Sequence, residues 1–317
     1  MHLFRKDSFA SFLMLLAPVT FVLAAWGMLM KQEPFYSWFY PFAWWSYILF
    51  LEAFLFRCGG KSDLFSAPGR FLIYLPLSIT IWLVLEAFNF RLGNWRYLEL
   101  PSSTPLRWFG YAISFATVLP GLFATNHFLQ YAGIAKSSRC SSLISPRALY
   151  GPLLFAGAAT FFLPLLWPEY FFALIWGAFI FLLEPINHRF GAPSLLDDWR
   201  RGSLRNFYLL LITGGFCGLL WEFWNFWAGS KWVYTIPFVG TLKVFEMPIL
   251  GFLGFPPFAV ECYVMVNAFF MVKDRINRNR PARQQRLIWF ILTVAMILFD
   301  IFVFLGIDHF TVISFKE

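Results

Sequence analysis

Two polar side chains stand among tryptophans in the segment WEFWNFWAGSKWVY, residues 221–234. Glu222 and Asn225 follow Gly214 and Gly218 at helical spacing, which predicts that all four lie on one face of an α-helix. An ionisable side chain within an apolar segment is costly and usually serves a function. Aromatic ring faces attract cations by about 0.5–2 kcal/mol each. A carboxyl group among ring faces therefore suits protonation of a C=C bond to a carbocation.

Six acidic residues fall within apolar segments of spanning length, and no Lys or Arg lies well inside such a segment. The six are Glu52, Glu86, Glu184, Glu222, Glu261 and Asp300. A carboxylate without a cationic partner in a low dielectric tends to take up a proton or a cation. The candidate catalytic residues are Glu222, Asn225, Glu261 and Glu246. The candidate substrate-binding residues are Trp232, Tyr234, Trp221, Glu86, Asn89, Trp95, Tyr97 and Asp300.

The elements that must position these residues are membrane-spanning helices. The chain of 317 residues is 59% hydrophobic, 22% aromatic and only 13% charged, with a mean hydropathy of +0.64. Nine apolar segments approach the roughly 20 residues that cross a bilayer. The predicted spans are 11–30, 41–57, 70–90, 107–131, 148–167, 171–188, 206–228, 249–272 and 286–306.

The distribution of basic residues predicts the orientation of the chain. With nine spans and a cytoplasmic N-terminus, 18 of the 25 Lys and Arg residues fall on the inner side, as the positive-inside rule requires. We therefore expect an N-in, C-out protein of a bacterial-type inner or plasma membrane. The basic cluster at 273–286 would attract anionic lipid headgroups, by about 1 kcal/mol per residue. No nucleic-acid partner is expected, because topology alone accounts for this charge.

An internal repeat predicts the architecture. The segment LEAFNFRLGNWRY, residues 85–97, matches residues 221–234, so that Glu86 and Asn89 correspond to Glu222 and Asn225 at an offset of 136. Each half holds four spans, which gives both halves the same orientation. We predict an all-α polytopic membrane protein with two parallel four-helix repeats, 1–135 and 136–272. The basic loop and an extra helix form the remainder, 273–317.

The two halves differ in ways that bear on function. Gly110 and Thr125 occupy the first-half positions of Glu246 and Glu261, so an enzyme of this design would carry its reaction in the second half. Two interpretations of Glu222 are open. It could hydrogen-bond across the repeat axis to Glu86 and hold helices together, or it could line a polar pocket.

A resemblance to known proteins rests on the segment NFWAGSKWVYTIPFVGTLKVFEMP. Its Asn, Gly, Trp, Tyr, Pro, Glu and Pro residues at positions 225, 229, 232, 234, 237, 246 and 248 resemble membrane lycopene cyclase domains of the heterodimeric and fused type. The spacing of Glu222, Gly229 and Tyr234 is similar to that in membrane carotenoid hydratases. The resemblance implies a multi-helix protein whose carboxylates protonate a polyene without net redox change. The cyclases carry an adjacent glutamate pair after a proline, whereas Glu246 and Glu261 stand alone.

These observations lead to one leading hypothesis and two alternatives. The leading hypothesis is a cyclase, isomerase or hydratase acting on a hydrophobic isoprenoid or carotenoid-like molecule. A proton- or cation-coupled transporter and a non-catalytic pigment-, quinone- or haem-binding subunit are the alternatives. No cofactor or metal is predicted, although His127 and His188 could ligate a haem. The sequence leaves open assembly into a membrane complex or a homo-oligomer.

Overall fold

The computed structural model describes residues 2–238, 240 and 242–314, and 75% of the chain is helical. Within these residues, nine helical segments are long and apolar enough to cross a membrane, which confirms the predicted number. The segments are Lys6–Leu29, Phe39–Arg57, Pro68–Leu92, Thr104–Tyr131, Pro146–Leu166, Pro168–Arg189, Arg205–Trp227, Ile249–Asn279 and Ala282–Thr311. The predominantly helical fold is thus confirmed, and the nine segments have the length and composition expected of an integral membrane protein.

The helices are α1 (His2–Leu29), α2 (Phe39–Arg57), α3 (Asp63–Ser66), α4 (Pro68–Leu92), α5 (Thr104–Phe115), α6 (Val118–Tyr131), α7 (Tyr150–Leu166), α8 (Pro168–Phe171), α9 (Ile175–Arg189), α10 (Leu195–Arg200), α11 (Arg205–Trp227), α12 (Phe255–Asn279) and α13 (Ala282–Gly306). Short 3-10 segments cover Pro146–Leu149, Phe172–Leu174 and Ile249–Gly254, and a π-helical turn covers Ile307–Thr311. The strands are β1 (Trp95–Leu98), β2 (Lys231–Tyr234), β3 (Lys243–Val244) and β4 (Met247–Pro248).

The chain divides into two units that do not follow its order. The first unit comprises residues 1–134, 216–252 and 304–317, and the second comprises 135–215 and 253–303. The first unit contains α1–α6, all four strands and the C-terminal part of α11. The second contains α7–α10, the N-terminal part of α11, α12 and most of α13.

The fourth span is broken between α5 and α6, where the hydropathy of the sequence predicts one helix over 107–131. Pro120 lacks the N–H that a continuous helix requires. The Ser78 hydroxyl of α4 enters the gap: it donates to the carbonyl oxygen of Phe115 at 2.6 Å and accepts from the N–H of Leu119 at 3.0 Å. A side chain inserted into the hydrogen-bond ladder accounts for the break.

The first unit also contains two short antiparallel ribbons that the helical prediction did not include. In the larger ribbon, β1 pairs with β2 so that Trp95 lies opposite Tyr234 and Tyr97 lies opposite Trp232. The smaller ribbon pairs β3 with β4. The larger ribbon follows directly on α4 and α11, and it therefore places four aromatic side chains next to the glutamates of these two helices.

Candidate functional site

The first buried glutamate, Glu86 on α4, is surrounded by aromatic hydrogen-bond donors. Its Oε1 accepts from Nε1 of Trp82 at 2.9 Å, from Nε1 of Trp95 at 3.0 Å and from the hydroxyl of Tyr97. Its Oε2 has no hydrogen-bond partner within the described protein, and the residue is 0% exposed. Burial and the adjacent carboxyl group of Glu86 raise the pKa of Tyr97 well above its ordinary value, so this phenol remains a donor.

Asn89, one helical turn after Glu86, fastens β1 to the end of α4. Its Nδ2 donates to the carbonyl oxygen of Trp95 at 2.9 Å, while its Oδ1 accepts from the N–H groups of Asn94 at 2.8 Å and Trp95 at 3.3 Å. Gly93 ends the helix in the left-handed conformation, with φ of 63°. This turn allows the chain to fold back onto Asn89.

The second buried glutamate, Glu222 on α11, has fewer donors. Its Oε1 accepts from the hydroxyl of Tyr234 at 2.6 Å, and that hydroxyl in turn accepts from Nε1 of Trp232 at 2.9 Å. Oε2 again has no partner within the described protein, and the residue is 0% exposed. Burial and the neighbouring Glu222 raise the pKa of Tyr234 well above its ordinary value, so Tyr234 also remains a donor.

Asn225 fastens β2 to α11. Its Nδ2 donates to the carbonyl oxygen of Trp232 at 2.9 Å, and its Oδ1 accepts from the N–H of the same residue at 3.0 Å. The hydrogen bonds of Glu222 and Asn225 therefore go to β2. They do not go to Glu86 and Asn89, as the helix-holding interpretation required.

One aromatic cluster joins the two glutamate sites within the first unit. The Trp221 ring lies 5.0 Å from that of Trp82, the donor to Glu86, and 5.9 Å from that of Trp232, beside Glu222. The Tyr40 ring meets Trp232 edge-on at 5.0 Å, and the Trp44 ring lies 6.2 Å from Trp221. The structure thus brings together nine of the predicted site residues: Trp221, Glu222, Asn225, Trp232, Tyr234, Glu86, Asn89, Trp95 and Tyr97.

The two sites differ in exposure. Trp95 and Tyr97 are 5% and 6% exposed, whereas both aromatic residues of β2 are only half-buried. The C-terminal segment accounts for this difference, because the N–H of Ile313 donates to the carbonyl oxygen of Tyr97 at 3.1 Å and Val312 pairs with the same strand. The environment of Glu86 is therefore covered, and that of Glu222 is the more accessible.

Glu246 lies beside β2 but is paired with a cation. Its Oε1 is 2.6 Å from Nζ of Lys231, which also lies 5.5 Å from the ring of Phe226. Glu246 was predicted as a candidate catalytic residue and not as the partner of Lys231, which is fifteen positions away along the chain. In the structure, Glu246 forms an ion pair at the margin of the Glu222 site.

Glu261 and Asp300, the remaining predicted site residues, belong to the second unit. Glu261 on α12 is 1% exposed, and its Oε1 accepts from the N–H of Phe179 at 3.0 Å. Its Oε2 has no partner within the described protein. Asp300 on α13 is partly exposed.

Two further buried glutamates hold short helices. Glu52 accepts from the Ser62 hydroxyl at 2.5 Å and from the N–H of Leu64 at 3.0 Å, at the start of α3. Glu184 accepts from the Ser194 hydroxyl at 2.5 Å and from the N–H of Leu196 at 2.9 Å, at the start of α10. Both serines also cap their helices, so these acids have a structural role that a helix-capping pattern could have indicated.

One partly buried ion pair in the first unit was not predicted. Nε of Arg107 lies 2.7 Å from Oδ1 of Asp308, and the same carboxylate accepts from Trp108 and Tyr111 at 2.9 Å each. Arg107 also donates to the carbonyl oxygens of Pro101 and Ser102. The predicted fourth span began at Arg107 and the last predicted span ended at 306, so the two charges lay at or beyond the ends of spans and were not expected to meet.

Charge partners are scarce at the buried acids. Among the described side chains, no Lys, Arg or His lies within ion-pair distance of Glu52, Glu86, Glu184, Glu222 or Glu261. In the same part of the chain, no three His, Cys, Asp or Glu residues are grouped to hold a metal ion. Nδ1 of His188 hydrogen-bonds to the Tyr150 hydroxyl at 2.6 Å, and haem ligation stays a prediction.

Comparisons with known proteins find no matching family model, no matching curated protein and no matching solved structure. The similarity to lycopene cyclases and carotenoid hydratases therefore stays a prediction from the sequence.

Proposed function

We propose that this protein is a membrane enzyme that protonates a C=C bond of a hydrophobic isoprenoid or carotenoid-like substrate without net redox change. The observation that carries the proposal is the Glu222 carboxyl group. It is fully buried, it has no cationic partner among the described residues, and its Oε2 has no hydrogen-bond partner there. Aromatic rings surround this acid, and ring faces stabilise a nearby cation.

The neighbouring residues have distinct roles in this reaction. Glu222 transfers its proton to one carbon of the double bond, and the adjacent carbon becomes the cation. Tyr234 holds the other carboxyl oxygen through its hydrogen bond, and Asn225 positions β2. Trp221 and Trp232 present ring faces to the cation. Attack of a second C=C bond on the cation, followed by loss of a proton from carbon to the carboxylate, gives a ring, and loss of the proton alone gives a shifted alkene. Capture of water, followed by transfer of one of its protons to the carboxylate, gives an alcohol, and each path restores the acid.

Glu222 is a better candidate for the reacting acid than Glu86. Three donors converge on one oxygen of Glu86, and hydrogen bonds to a carboxylate stabilise its charged form. The C-terminal segment also pairs with β1, where Trp95 and Tyr97 are buried, whereas the aromatic residues of β2 are partly exposed. Glu86 therefore serves to hold β1 in place.

The proposal includes the duplicated architecture predicted from the sequence. The pairing of Trp95 with Tyr234 and of Tyr97 with Trp232 is the symmetric register expected of two equivalent strands about a twofold axis. The paired roles of Glu52 and Glu184, at an offset of 132, also support duplication. We extend the proposal to two parallel repeats, a cytoplasmic N-terminus and attraction of the exposed basic cluster 273–286 to anionic headgroups.

The test is conversion of polyenes by the purified protein. The full chain in detergent is incubated with acyclic carotenoids, the products are separated by chromatography, and their masses are measured by mass spectrometry. We expect a product of unchanged mass, or one heavier by a single water. Glu222→Gln should abolish the product, and Glu86→Gln is the matched control that should retain it. No product from any polyene, together with no isoprenoid in the extracted lipid, would overturn the proposal.

Glu261 favours proton- or cation-coupled transport as a second candidate function. It is a fully buried acid in the second unit whose only hydrogen bond among the described residues comes from a backbone amide. Such an acid can alternate between a protonated and an ionised state during transport. pH-dependent uptake into liposomes that Glu261→Gln abolishes and Glu222→Gln does not would support transport. Visible absorbance of the purified protein would support a pigment- or haem-binding subunit.

A further inference from the structure

Two arginines meet at one exposed aromatic ring in the second unit. Phe190 directly follows α9 and is 43% exposed. The guanidinium carbon of Arg275, on α12, lies 4.2 Å from the centre of this ring, and that of Arg189, the last residue of α9, lies 5.9 Å from it. The two guanidinium groups are therefore no farther apart than the sum of these distances, about 10 Å.

The end of α9 fixes the position of Phe190. Gly191 takes the left-handed conformation, with φ of 75°, and the N–H of Ala192 donates to the carbonyl oxygen of Asn187 at 2.9 Å. This is a common way for a helix to end at a glycine, and it turns the chain directly after Phe190. The end of α12 is held as well, because Oδ1 of Asn277 accepts a hydrogen bond from α13 at 3.1 Å. Both arginines thus belong to helices whose ends are fixed by other contacts.

Acidic partners for the two arginines are lacking in the described part of the chain. No Asp or Glu there lies within ion-pair distance of Arg189 or Arg275. Asp274, which precedes Arg275, is paired instead with Arg278 at 3.9 Å. The helix dipole favours cations at the ends of α9 and α12, but it does not account for two of them at one ring. Because like charges repel, an anion that contacts both guanidinium groups would lower their electrostatic energy.

The two arginines lie at the level where lipid headgroups are expected. Arg189 is the last residue of the apolar segment Pro168–Arg189. Helix α12 has 25 residues and a length of about 37 Å at 1.5 Å per residue, which exceeds the ~30 Å of a hydrocarbon core. Its polar last turns, which contain Arg275, are the part expected to extend beyond the hydrocarbon. The phosphate groups of lipids occupy this level, and the exposed ring of Phe190 offers an apolar surface beside them.

The corresponding position of the first half is built differently. At an offset of 132, Arg57 stands in place of Arg189 and Cys58 in place of Phe190. Nη1 of Arg57 lies 3.1 Å from Oδ1 of Asp7, so its charge is neutralised within the protein, and a cysteine offers no ring to hold a cation. Arginines gathered at an aromatic ring are thus a feature of the second half and not of the repeated pattern.

We propose that Arg189, Arg275 and Phe190 form a binding site for the phosphate group of one anionic phospholipid. The guanidinium groups donate hydrogen bonds to the phosphate oxygens, for which their planar geometry is suited. The Phe190 ring holds both cations in place and contacts the apolar part of the lipid. This discrete site goes beyond the attraction of the cluster 273–286, because Arg189 and Phe190 lie outside that cluster. It does not depend on the reaction proposed for Glu222.

The test is binding of defined phospholipids to the full chain in detergent micelles, measured by native mass spectrometry. We expect one phosphatidylglycerol per chain to be retained in preference to phosphatidylcholine, whose choline cation offsets its phosphate. Arg189→Gln and Arg275→Gln should each weaken this binding about fivefold, which corresponds to about 1 kcal/mol per basic residue at a membrane surface. Phe190→Leu keeps the charge and should weaken binding about two- to fivefold, as expected for an exposed cation–π contact.

Arg278→Gln is the matched control. It removes the same charge one turn farther along α12, from a residue that is already paired with Asp274, and should change the affinity by less than about twofold. Equal losses for Arg275→Gln and Arg278→Gln would mean diffuse attraction alone and would overturn the proposal, as would an unchanged affinity in Arg189→Gln.

Inorganic phosphate is the probe for a water-soluble ligand. It should not displace phosphatidylglycerol from the wild-type chain at equal concentration, because it lacks the apolar part that contacts Phe190. Displacement would mean a site for free phosphate, and the assignment to a lipid would be wrong. Glu222→Gln should bind phosphatidylglycerol as the wild type does, so a failure of polyene conversion and a failure of lipid binding are separate outcomes.

Discussion

Asn89 and Asn225 each hold a strand against the preceding helix by side-chain hydrogen bonds. The free energy of unfolding lost on replacing either residue follows from the burial of its partners. Asn89→Ala removes three hydrogen bonds and leaves the carbonyl oxygen and N–H of Trp95 and the N–H of Asn94 without partners. Trp95 and Asn94 are 5% and 4% exposed, so water cannot replace the lost side chain. A buried polar group left unsatisfied costs about 1–3 kcal/mol, and the three together should cost roughly 3–9 kcal/mol.

Asn225→Ala should cost less. It removes two hydrogen bonds, both to the backbone of Trp232, which is only half-buried. Because Trp232 is only partly buried, we expect water to reach that backbone, and an exchanged hydrogen bond has a net worth of about 0.5–1.5 kcal/mol. We therefore expect a loss of about 1–3 kcal/mol, well below that of Asn89→Ala.

The assay is equilibrium unfolding of the full chain by titration with a denaturing detergent in mixed micelles. The abundance of each variant in membranes is a second readout, since a loss of 3–9 kcal/mol rivals the whole stability of many proteins, about 5–15 kcal/mol. The reasoning requires Asn89→Ala to be the more damaging change. Equal losses, or a larger loss for Asn225→Ala, would show that exposure of the strand does not determine how much the asparagine's hydrogen bonds contribute to stability.

Two further predictions concern packing and charge. Gly121→Ala would place a Cβ atom 2.7 Å from Cζ3 of Trp44, and overpacking of this kind costs about 1–3 kcal/mol. In the matched control Gly215→Ala, the added Cβ atom would meet nothing nearer than 3.9 Å, so this change should stabilise its helix by about 0.5–1 kcal/mol. The two variants are compared by thermal denaturation, and equal effects would contradict the packing argument. Arg107→Ala leaves the Asp308 carboxylate without its bidentate partner and should cost about 3–5 kcal/mol in the same assay, whereas a neutral effect would mean that the ion pair contributes no net stability.

The sequence was sufficient to predict the number of candidate spans and the shared helical face of two candidate residues, for identifiable physical reasons. A span is a continuous apolar run, and its length and hydropathy are local properties of the chain. The side chains of Glu222 and Asn225 share one helical face because their spacing matches the helical period. Five of the six acids that were assigned to apolar segments are buried in the structure: Glu52, Glu86, Glu184, Glu222 and Glu261.

The features that the sequence did not reveal depend on long-range pairing. Lys231 and Glu246 come together only because short strands, four and two residues long, fold back beside one another. Arg107 and Asp308 are 201 positions apart, and no local pattern connects them. The break between α5 and α6 required Ser78, which belongs to another helix. In each case the partner lies farther along the chain than the short segment over which a hydrophobic periodicity is measured.

Under the duplication proposed above, the contrast between Glu86 and Glu222 gives the two halves different roles. Both acids sit one helical turn before an asparagine that fastens a strand, and each accepts from the tyrosine of that strand. Two tryptophans also donate directly to Glu86, whereas Trp232 donates to the Tyr234 hydroxyl instead. Because Trp232 donates to the Tyr234 hydroxyl and not to Glu222, the carboxylate form of Glu222 is stabilised by fewer hydrogen bonds than that of Glu86. The Tyr234 hydroxyl both accepts from Trp232 and donates to Glu222. A change this small, together with an uncovered strand, would convert a structural contact into an acid that can release its proton to a substrate.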